Sequence, residues 1–328
     1  MSKKILVTGG AGFIGSHLCE KLLENDYKVI CLDNFNNYYD PKIKEDNIAE
    51  SLKNKNFALV KGDILDKEFL ENVFSKYNID RVIHLAAVAG VRPSLVAPNK
   101  YIEVDIKGTV NLLDMARKYK VEQFIFGSSS SVYGINSKIP FSEEDRVDLQ
   151  ISPYATAKRA GELYCSTYHH LYGVPIIILR FFTVYGPRQR PDMAIHKFSR
   201  LMSQGKSIYM FGDGKSERDY TYIGDIVDGI LKAMQKTYKF EIFNLGNSTT
   251  IKLRDLINCI EDKLKIRAKI EQLPKQPGDV PITCADISRA KRMLGYKPST
   301  AIEEGIENFV KWYLIKKNFL EKLEKGDL

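Results

Sequence analysis

The stretch K-I-L-V-T-G-G-A-G-F-I-G-S-H-L, residues 4–18, decides the fold of this chain. It opens on a continuous apolar run at residues 5–7, which is typical of a strand buried on both faces of a parallel sheet. Glycines follow at a spacing of three, at Gly9, Gly12 and Gly15. Apolar residues then recur every fourth position, as on one face of a helix, at Ile14, Leu18 and Leu22. The stretch therefore predicts a strand, a glycine turn and a helix whose first N–H groups can bind a pyrophosphate.

A carboxylate stands at the end of the next apolar run. That run covers residues 29–32, and Asp33 follows it about 20 residues beyond the glycines. A carboxylate there can accept hydrogen bonds from both hydroxyls of an adenosine ribose, and it repels a 2′-phosphate. The pattern therefore favours NAD over NADP. The alternative is a glycine turn that binds nothing, which the strand before it and the helix after it disfavour.

Composition limits the class of protein. The chain has 328 residues, enough for one large domain or two moderate ones, and a formal net charge of +8. Lysines alternate with acidic residues, and no apolar run approaches a membrane span, so we expect neither a nucleic-acid partner nor a membrane partner. The five cysteines are scattered and lack C-x-x-C spacing, which argues against disulfides or a metal site and indicates the cytoplasm.

The order of the elements predicts an α/β fold. Apolar strands and helical stretches alternate over the first 180 residues, which indicates a Rossmann-type doubly wound parallel sheet. Beyond Gly186, glycine and proline become more frequent and the strands are short. We therefore expect an NAD-binding Rossmann domain at residues 1–185 and a smaller mixed α/β substrate lobe at residues 186–328. Strands and helices are free to cross between the two.

Two reactive side chains lie on one predicted helix. Tyr154 and Lys158 are four residues apart and hence on the same helix face. A free tyrosine ionises only near about pH 10, too high for a base at neutral pH. A lysine ammonium and a cationic nicotinamide both favour the phenolate. Ser129, at the end of the preceding strand, adds a hydroxyl that can bond the substrate oxygen. Tyrosine and lysine at this spacing also occur by chance on surface helices.

Several segments together resemble the extended short-chain dehydrogenase/reductases, which are nucleotide-sugar enzymes with tightly held NAD. These segments are the glycine pattern, H-L-A-A at 84–87, S-S-S-S-V-Y-G at 128–134, Y-A-T-A-K at 154–158 and R-F-F-T-V-Y-G-P at 180–187. The resemblance covers nearly the whole chain. It implies that Ser129 is catalytic, that Tyr154 is the general base and that Lys158 binds the nicotinamide ribose.

The cofactor is expected to contact the glycine turn, the strand ends and the catalytic helix, at Gly9, Gly12, Phe13, Ile14, Gly15, Asp33, Asn34, Asn37, Asp63, Ile64, Leu85, Ala86, Ala87, Tyr154, Lys158 and Phe181. Asp63 can accept from the adenine amino group, although a helix cap is an equally good interpretation. The segment F-G-D-G-x-x-x-R-D-Y, residues 211–220, resembles the family's UDP-binding stretch, in which the arginine pairs with the diphosphate. P-G-D at 277–279 resembles the segment that reaches the uridine ribose. The expected substrate contacts are Arg92, Ser129, Ser130, Ser131, Thr183, Arg190, Arg218 and Asp279.

The residues after Ser129 indicate which member of the family this is. The 4,6-dehydratases carry Asp-Glu directly after the catalytic residue, and UDP-xylose-forming decarboxylases carry Glu two residues after it. Ser130 and Ser131 stand there instead, and neither works as an acid or base near neutrality. That leaves epimerisation of a UDP-sugar through a 4-keto intermediate. Resemblance to UDP-glucuronate 4-epimerases, which make UDP-galacturonate, comes from D-N-F-N-N-Y-Y-D at 33–40, A-G-V-R at 89–92, G-P-R-Q-R-P-D-M-A at 186–194 and Q-P-G-D-V at 276–280.

Alternatives remain open at this point. A UDP-glucose or UDP-N-acetylglucosamine 4-epimerase and a UDP-glucuronate decarboxylase have the same fold, and so does a non-catalytic NAD-sensing protein. Val88 stands where the glucuronate enzymes are often polar, and Asp105 stands where many relatives have Asn. Arg188 and Arg190 have a second interpretation as surface arginines in a loop. Relatives pair through two helices, here at about 99–119 and 153–172, so we expect a homodimer.

Overall fold

The computed structural model describes residues 2–274 and 280–326. Its strands are β1 (Lys4–Thr8), β2 (Lys28–Asp33), β3 (Phe57–Lys61), β4 (Arg81–His84), β5 (Gln123–Ser129), β6 (Ile176–Phe181), β7 (Thr183–Tyr185), β8 (Ile208–Phe211), β9 (Glu217–Tyr222), β10 (Phe240–Leu245), β11 (Thr250–Lys252) and β12 (Ile270–Leu273). Seven of them form one parallel sheet in the order β3-β2-β1-β4-β5-β6-β10. The predicted doubly wound α/β fold is confirmed.

The α-helices are α1 (Phe13–Glu24), α2 (Pro41–Ile48), α3 (Lys67–Tyr77), α4 (Val91–Val96), α5 (Pro98–Tyr101), α6 (Gly108–Lys118), α7 (Pro153–Tyr172), α8 (Ala194–Ser203), α9 (Ile223–Met234), α10 (Leu253–Leu264), α11 (Ser288–Leu294) and α12 (Ile302–Lys325). A π-helical segment, Ile102–Lys107, joins α5 to α6. The predicted helices at about 99–119 and 153–172 therefore form. Ser152 caps α7 by accepting from the Ala155 N–H, and proline follows as the first helical residue.

Burial on both faces explains why the central strands are continuously apolar. Successive side chains of a strand point to opposite faces of the sheet. In β1, Ile5 and Val7 pack in a core with residues of α1 and α9, while Leu6 packs in a second core with residues of α3 and α6. Each face of the sheet is thus covered by helices, as a parallel sheet requires.

Two elements from the second half of the chain pack with the first half. Helix α9 packs on the same face as α1, and β10 pairs in parallel with β6 at the edge of the central sheet. The division of the chain into two domains at residue 186 stays a prediction. That prediction allowed elements to cross between the domains, as α9 and β10 do.

A separate core is formed mainly by residues of the second half of the chain. In a small mixed sheet, β9 pairs in parallel with β7 and antiparallel with β11. Strands β8 and β12 form a separate two-stranded parallel sheet. Apolar residues of α8, α10 and α12 pack against these strands. Within the residues described, no helix combines the length and the apolar character needed to cross a bilayer.

Candidate active site

A cavity of about 360 Å³ opens at the carboxyl ends of the central strands. From β1 the chain adds β2 and β3 on one side of the sheet, and it then adds β4, β5 and β6 on the other side. Doubly wound sheets bind ligands at the point where the order of the strands reverses, here between β1 and β4. Residues that follow β1, β2, β4, β5 and β6 line it, together with Tyr154 and Lys158 from α7 and Arg190 and Met193 from the second half. The cavity therefore collects the ends of elements that are far apart in sequence.

The glycine turn after β1 leaves no space for side chains. Gly9 has φ of +68°, and a Cβ there would lie 2.8 Å from the backbone nitrogen of Ala86. A Cβ on Gly15 would lie 2.2 Å from the carbonyl oxygen of Gly9. Only glycine permits this close approach of backbones, and it exposes the first N–H groups of α1 to the cavity. This cradle fits the pyrophosphate of a dinucleotide.

Asp33 ends β2 with a buried carboxylate. Its Oδ2 accepts from the Ala11 N–H at 3.2 Å, and its Oδ1 accepts from the Phe35 N–H at 2.9 Å. Lys44 adds an ion pair, with Nζ 3.3 Å from Oδ1, and the two side chains are 6% and 5% exposed. Lys44 also lines the cavity, although no sequence pattern distinguishes it from the other lysines of a polar helix.

The expected adenine contacts form a linked group. Asp63 accepts from Asn34 Nδ2 at 2.9 Å through Oδ2 and from the Leu65 N–H at 2.9 Å through Oδ1. It does not cap α3, because Asp66 fills that position. The cavity is lined by Asn34, Asn36 and Asp63, whereas the predicted Asn37 is exposed and lies outside the lining.

The three expected catalytic residues meet in the cavity. Lys158 is buried and its Nζ donates to the Gly127 carbonyl at 3.0 Å. Ser129 caps a short 3₁₀ turn by accepting from the Ser131 N–H at 3.2 Å. The cavity is lined by Ser129, Tyr154 and Lys158. Strand β5 and helix α7 thus bring together residues that are 25 or more positions apart in the sequence.

A buried ion pair stands behind these residues. Glu162 and Arg180 are both 1% exposed, and Nε and Nη2 of Arg180 each donate to a Glu162 oxygen at 2.9 Å. Ser128 Oγ donates to Oε1 of Glu162 at 2.6 Å, and Arg180 Nη1 donates to the Tyr133 hydroxyl at 3.1 Å. The pair therefore fixes the end of β5 against α7, one residue before Ser129.

His84 has a structural role, because both of its ring nitrogens form hydrogen bonds with threonine hydroxyls. Thr8 Oγ1 accepts from the Ala86 N–H and lies 2.7 Å from Nδ1 of His84, so it donates to that nitrogen. Thr109 Oγ1 donates to the Asp105 carbonyl and therefore accepts from Nε2 of His84 at 3.0 Å. Burial, followed by the charge of Lys158, lowers the pKa of His84 to about 3. The ring is neutral, with its proton on Nε2.

The two arginines in the loop after β7, Arg188 and Arg190, point to different parts of the molecule. Arg188 points to α1, where Nη2 donates to Glu20 at 2.6 Å. Arg190 lines the cavity, and its Nε and Nη2 donate to the carboxylate of Asp192 at 2.9 and 3.0 Å. Burial opposes ionisation of Arg190, but Asp192, Tyr38 and Tyr154 raise its pKa.

Two expected substrate residues lie away from this lining, and a third is not among the described residues. The Arg92 guanidinium stacks 4.7 Å from the ring centroid of Phe211. Arg218 Nη1 donates to the Glu217 carbonyl at 2.8 Å and to the Pro281 carbonyl at 3.4 Å. Asp279 lies outside the described residues. The other expected contacts do line the cavity: Gly12, Phe13, Ile14, Ile64, Leu85, Ala86, Ala87, Phe181, Ser130, Ser131 and Thr183.

The chain was compared with known proteins. The family model described as GDP-mannose 4,6 dehydratase matches residues 6–309. UDP-glucuronate 4-epimerase 4 of Arabidopsis thaliana is 44% identical, over 94% of this chain and 75% of that protein. The chain belongs to the extended short-chain dehydrogenase/reductase family. The predicted family is confirmed.

Solved structures of this family superpose closely. UDP-glucuronic acid 4-epimerase from Bacillus cereus, in complex with UDP-glucuronic acid and NAD, has a TM-score of 0.91 at 39% identity, covering 95% of this chain and 99% of that one. UDP-glucose 4-epimerase from Thermotoga maritima, with UDP-glucose, has a TM-score of 0.88 at 35% identity, covering 96% and 99%. The predicted class, an NAD-dependent UDP-sugar 4-epimerase, agrees with these relatives.

Asp105 is a departure from many members of the extended family. It lies in the π-helical segment, and its Oδ1 accepts from the Val88 N–H at 2.7 Å. Within the described residues its buried Oδ2 has no hydrogen-bond partner. Burial raises the pKa of Asp105 to about 6, although the charge of Lys158 and the Val88 N–H act against this. π-Helical segments often mark functional sites.

Proposed function

We propose that this protein is an NAD-dependent 4-epimerase that interconverts UDP-glucuronate and UDP-galacturonate. The observation that carries the proposal is that Arg190 lines the same cavity as Ser129, Tyr154 and Lys158. A guanidinium binds a carboxylate through two parallel hydrogen bonds, whereas a neutral hexose offers it no such partner. The Bacillus cereus neighbour, bound to UDP-glucuronic acid and NAD, and the Arabidopsis relatives support the same substrate.

NAD suits the cofactor side of the cavity. The turn at Gly9 and Gly15 supplies a backbone cradle for a pyrophosphate, and Asp33 supplies acceptors for ribose hydroxyls. When bound, NAD would supply a reversible acceptor for the hydride on C4 of the sugar. An epimerase oxidises and re-reduces within one turnover and gains nothing by releasing the cofactor, so purified protein should carry NAD(H).

The protein's own residues move the proton. Tyr154 takes the proton of the C4 hydroxyl and gives it back in the second half of the reaction. Ser129 bonds the same oxygen throughout, and Lys158 holds the nicotinamide ribose. Between the two halves the 4-keto sugar turns about its diphosphate, for which the family resemblance implies Arg218 as the partner.

UDP-glucuronate makes this reaction hazardous, because its 4-keto form is a β-keto acid that loses carbon dioxide readily. The enzyme must hold the carboxylate so that the bond to it cannot align with the ketone. Ser130, Ser131 and Thr183 line the cavity with Arg190, and their hydroxyls are suited to hold the sugar carboxylate. Neither serine replaces the acid or base of a dehydratase or decarboxylase.

The test offers UDP-glucuronate, UDP-glucose and UDP-N-acetylglucosamine in turn to the purified protein and follows the products by mass and NMR. We expect UDP-galacturonate from the first and little turnover of the neutral sugars. Turnover of the neutral sugars alone would refute the substrate. A product lighter by carbon dioxide would mean that the protein is a decarboxylase.

We further propose a homodimer built from α7 and the helix of residues 98–118 of each subunit. Large apolar side chains are exposed on these helices: Ile102 (56%), Leu163 (52%), Tyr164 (41%), Leu171 (59%) and Tyr172 (47%). Such a patch is typical of an interaction surface. Sedimentation at micromolar concentration is expected to give twice the chain mass, and a monomer would remove the proposal.

We also propose that the protein works in the cytoplasm. All five cysteines are free thiols in the described structure, and three of them are buried. Free thiols are the normal state in a reducing compartment. Fractionation of cells with an antibody against the protein tests the location.

A further inference from the structure

Arg190 is held from two sides by Asp192 and Tyr38, to which the sequence analysis assigned no individual role. Asp192 accepts from Nε at 2.9 Å and from Nη2 at 3.0 Å, a two-bond fork. The Tyr38 ring lies under the guanidinium, with 5.6 Å between the guanidinium carbon and the ring centroid. The Tyr38 hydroxyl is 3.5 Å from Oδ2 of Asp192. The guanidinium therefore has a partner at one edge and another on one face.

The fork on Asp192 leaves one edge of the guanidinium for a ligand. A guanidinium has five N–H groups, and the fork uses one on Nε and one on Nη2. Three N–H groups of the guanidinium lie outside the fork, two on Nη1 and one on Nη2. Arg190 lines the cavity whereas Asp192 does not. The edge formed by Nη1 and Nη2 thus remains for a second carboxylate, such as that of a sugar acid.

Asp192 has two opposite effects on a second carboxylate. Burial by itself would raise the pKa of Asp192, but its hydrogen bonds to Arg190 and the charge of Arg190 outweigh burial, and the pKa is lowered. Asp192 is therefore ionised at neutral pH and cancels the formal charge of Arg190, which weakens the attraction for an anion. It also fixes a flexible side chain in one orientation, which strengthens binding by removing an entropic cost.

Exposure decides between the two effects. The Asp192 side chain is 42% exposed, so water screens its repulsion of another carboxylate. The Arg190 side chain is only 20% exposed and faces a ligand inside the cavity. Solvent does not screen the orientation that the fork imposes. Orientation is therefore the larger contribution.

We propose that Asp192 is a positioning residue that selects anionic sugars, because its fork presents the remaining edge of Arg190 to the sugar carboxylate. This rests on the proposed function, in which Arg190 binds that carboxylate. Asp192 acts through Arg190 and touches no reacting atom. Tyr38 supports the same orientation from the face of the guanidinium.

The test measures binding by calorimetry on NAD-loaded protein that carries Tyr154→Phe, so that no turnover occurs. Adding Asp192→Ala should weaken UDP-glucuronate binding by up to about tenfold, the cost of ordering one long side chain. UDP-glucose binding should not change. Asp192→Asn keeps one acceptor and the shape of the side chain, so its loss should be smaller. Glu50→Ala, which removes an exposed partner of Lys53 outside the cavity, serves as the control.

A second readout uses the active enzyme. Asp192→Ala should raise the fraction of product that has lost carbon dioxide, since a loosely held carboxylate can align with the ketone. A merely structural role would not change this ratio of products, whereas it would lower the amount of folded protein.

Each result separates this inference from the proposed function. Tighter UDP-glucuronate binding in Asp192→Ala would mean that charge cancellation dominates, and unchanged binding would mean that the fork has no role; either overturns the inference. If Arg190→Ala weakens UDP-glucuronate binding and Asp192→Ala does not, the proposal that Arg190 binds the sugar carboxylate is supported and this inference alone fails. If Arg190→Ala leaves the preference unchanged, both that proposal and the inference fail.

Discussion

The two sides of the cavity are built differently. On the cofactor side, the contacts for the pyrophosphate and the adenosine ribose come from backbone at the turn of Gly9 and Gly15 and from a carboxylate at a strand end, Asp33. On the substrate side, they come from the ends of side chains, of which Arg190 is held only by other side chains. A site made of backbone tolerates almost no substitution. A site made of side-chain ends can be tuned, because each contact depends on a partner that can itself be changed.

The largest effect is expected for Gly15→Ala on the cofactor side. A Cβ there would lie 2.2 Å from the Gly9 carbonyl oxygen and 2.7 Å from Gly10 Cα, and backbone atoms cannot move aside as side chains do. The cradle must therefore open, and the purified protein should contain no NAD(H). The measurement is a nucleotide assay on the supernatant after denaturation.

Gly12→Ala is the graded control for that change. Its Cβ would lie 3.1 Å from the same carbonyl oxygen, and its φ of −74° suits any residue. We expect partial retention of NAD(H). Full retention in the Gly15 variant would contradict the comparison between the two sides.

The next largest effect concerns the buried pair of Glu162 and Arg180 behind the catalytic residues. Glu162→Ala leaves the Arg180 guanidinium buried without its counter-ion, which typically costs about 3–5 kcal/mol of unfolding free energy. Chemical denaturation measures the loss. The double variant Glu162→Met with Arg180→Met removes both charges and should recover a large part of it. A double variant as unstable as the single one would argue that the hydrogen bonds to Ser128 and Tyr133 dominate.

Asp33→Ala tests a side-chain contact on the cofactor side. Two hydrogen bonds to ribose hydroxyls are lost, each worth about 1.5–3 kcal/mol of NAD binding. Lys44 is left buried without its anion, so the preference for NAD over NADP should also fall. Binding of both nucleotides by calorimetry checks this, with Asp33→Ala plus Lys44→Met as the matched control. An unchanged preference would remove Asp33 from cofactor selection.

The smallest effect is expected for Asp105→Asn, and it depends on pH. The folded-state pKa of Asp105, about 6, lies above the ordinary value of 3.8. Its contribution to stability is therefore full below about pH 4 and is lost as the pH rises through about 6. Asparagine should stabilise the protein most at about pH 8, by about 3 kcal/mol at most, and hardly at all near pH 4. Equal gains at both pH values in denaturant titrations would contradict this.

Residues that follow directly from backbone pattern were predictable. The glycine turn, Asp33 and the Tyr154–Lys158 pair are fixed by strand ends and helix spacing, and they line one cavity. The resemblance to the family then indicated the reaction and its NAD cofactor. Lys44 carried no comparable signal, because nothing in its spacing sets it apart from solvated residues. Tyr38 and Asp192 lie in segments that resemble UDP-glucuronate 4-epimerases, but no local pattern indicated that they contact Arg190.

The sequence by itself determined the Rossmann-type sheet, the position of the cofactor cradle and the catalytic helix, because strand and helix periods and glycine spacing are local properties. Only the tertiary structure decided that β10 joins the central sheet, that Arg190 and not Arg188 reaches the cavity, and that Asp192 holds it. These outcomes depend on which segments distant in the chain pack together. Side-chain ends in loops take their partners from that packing, and no local pattern records it.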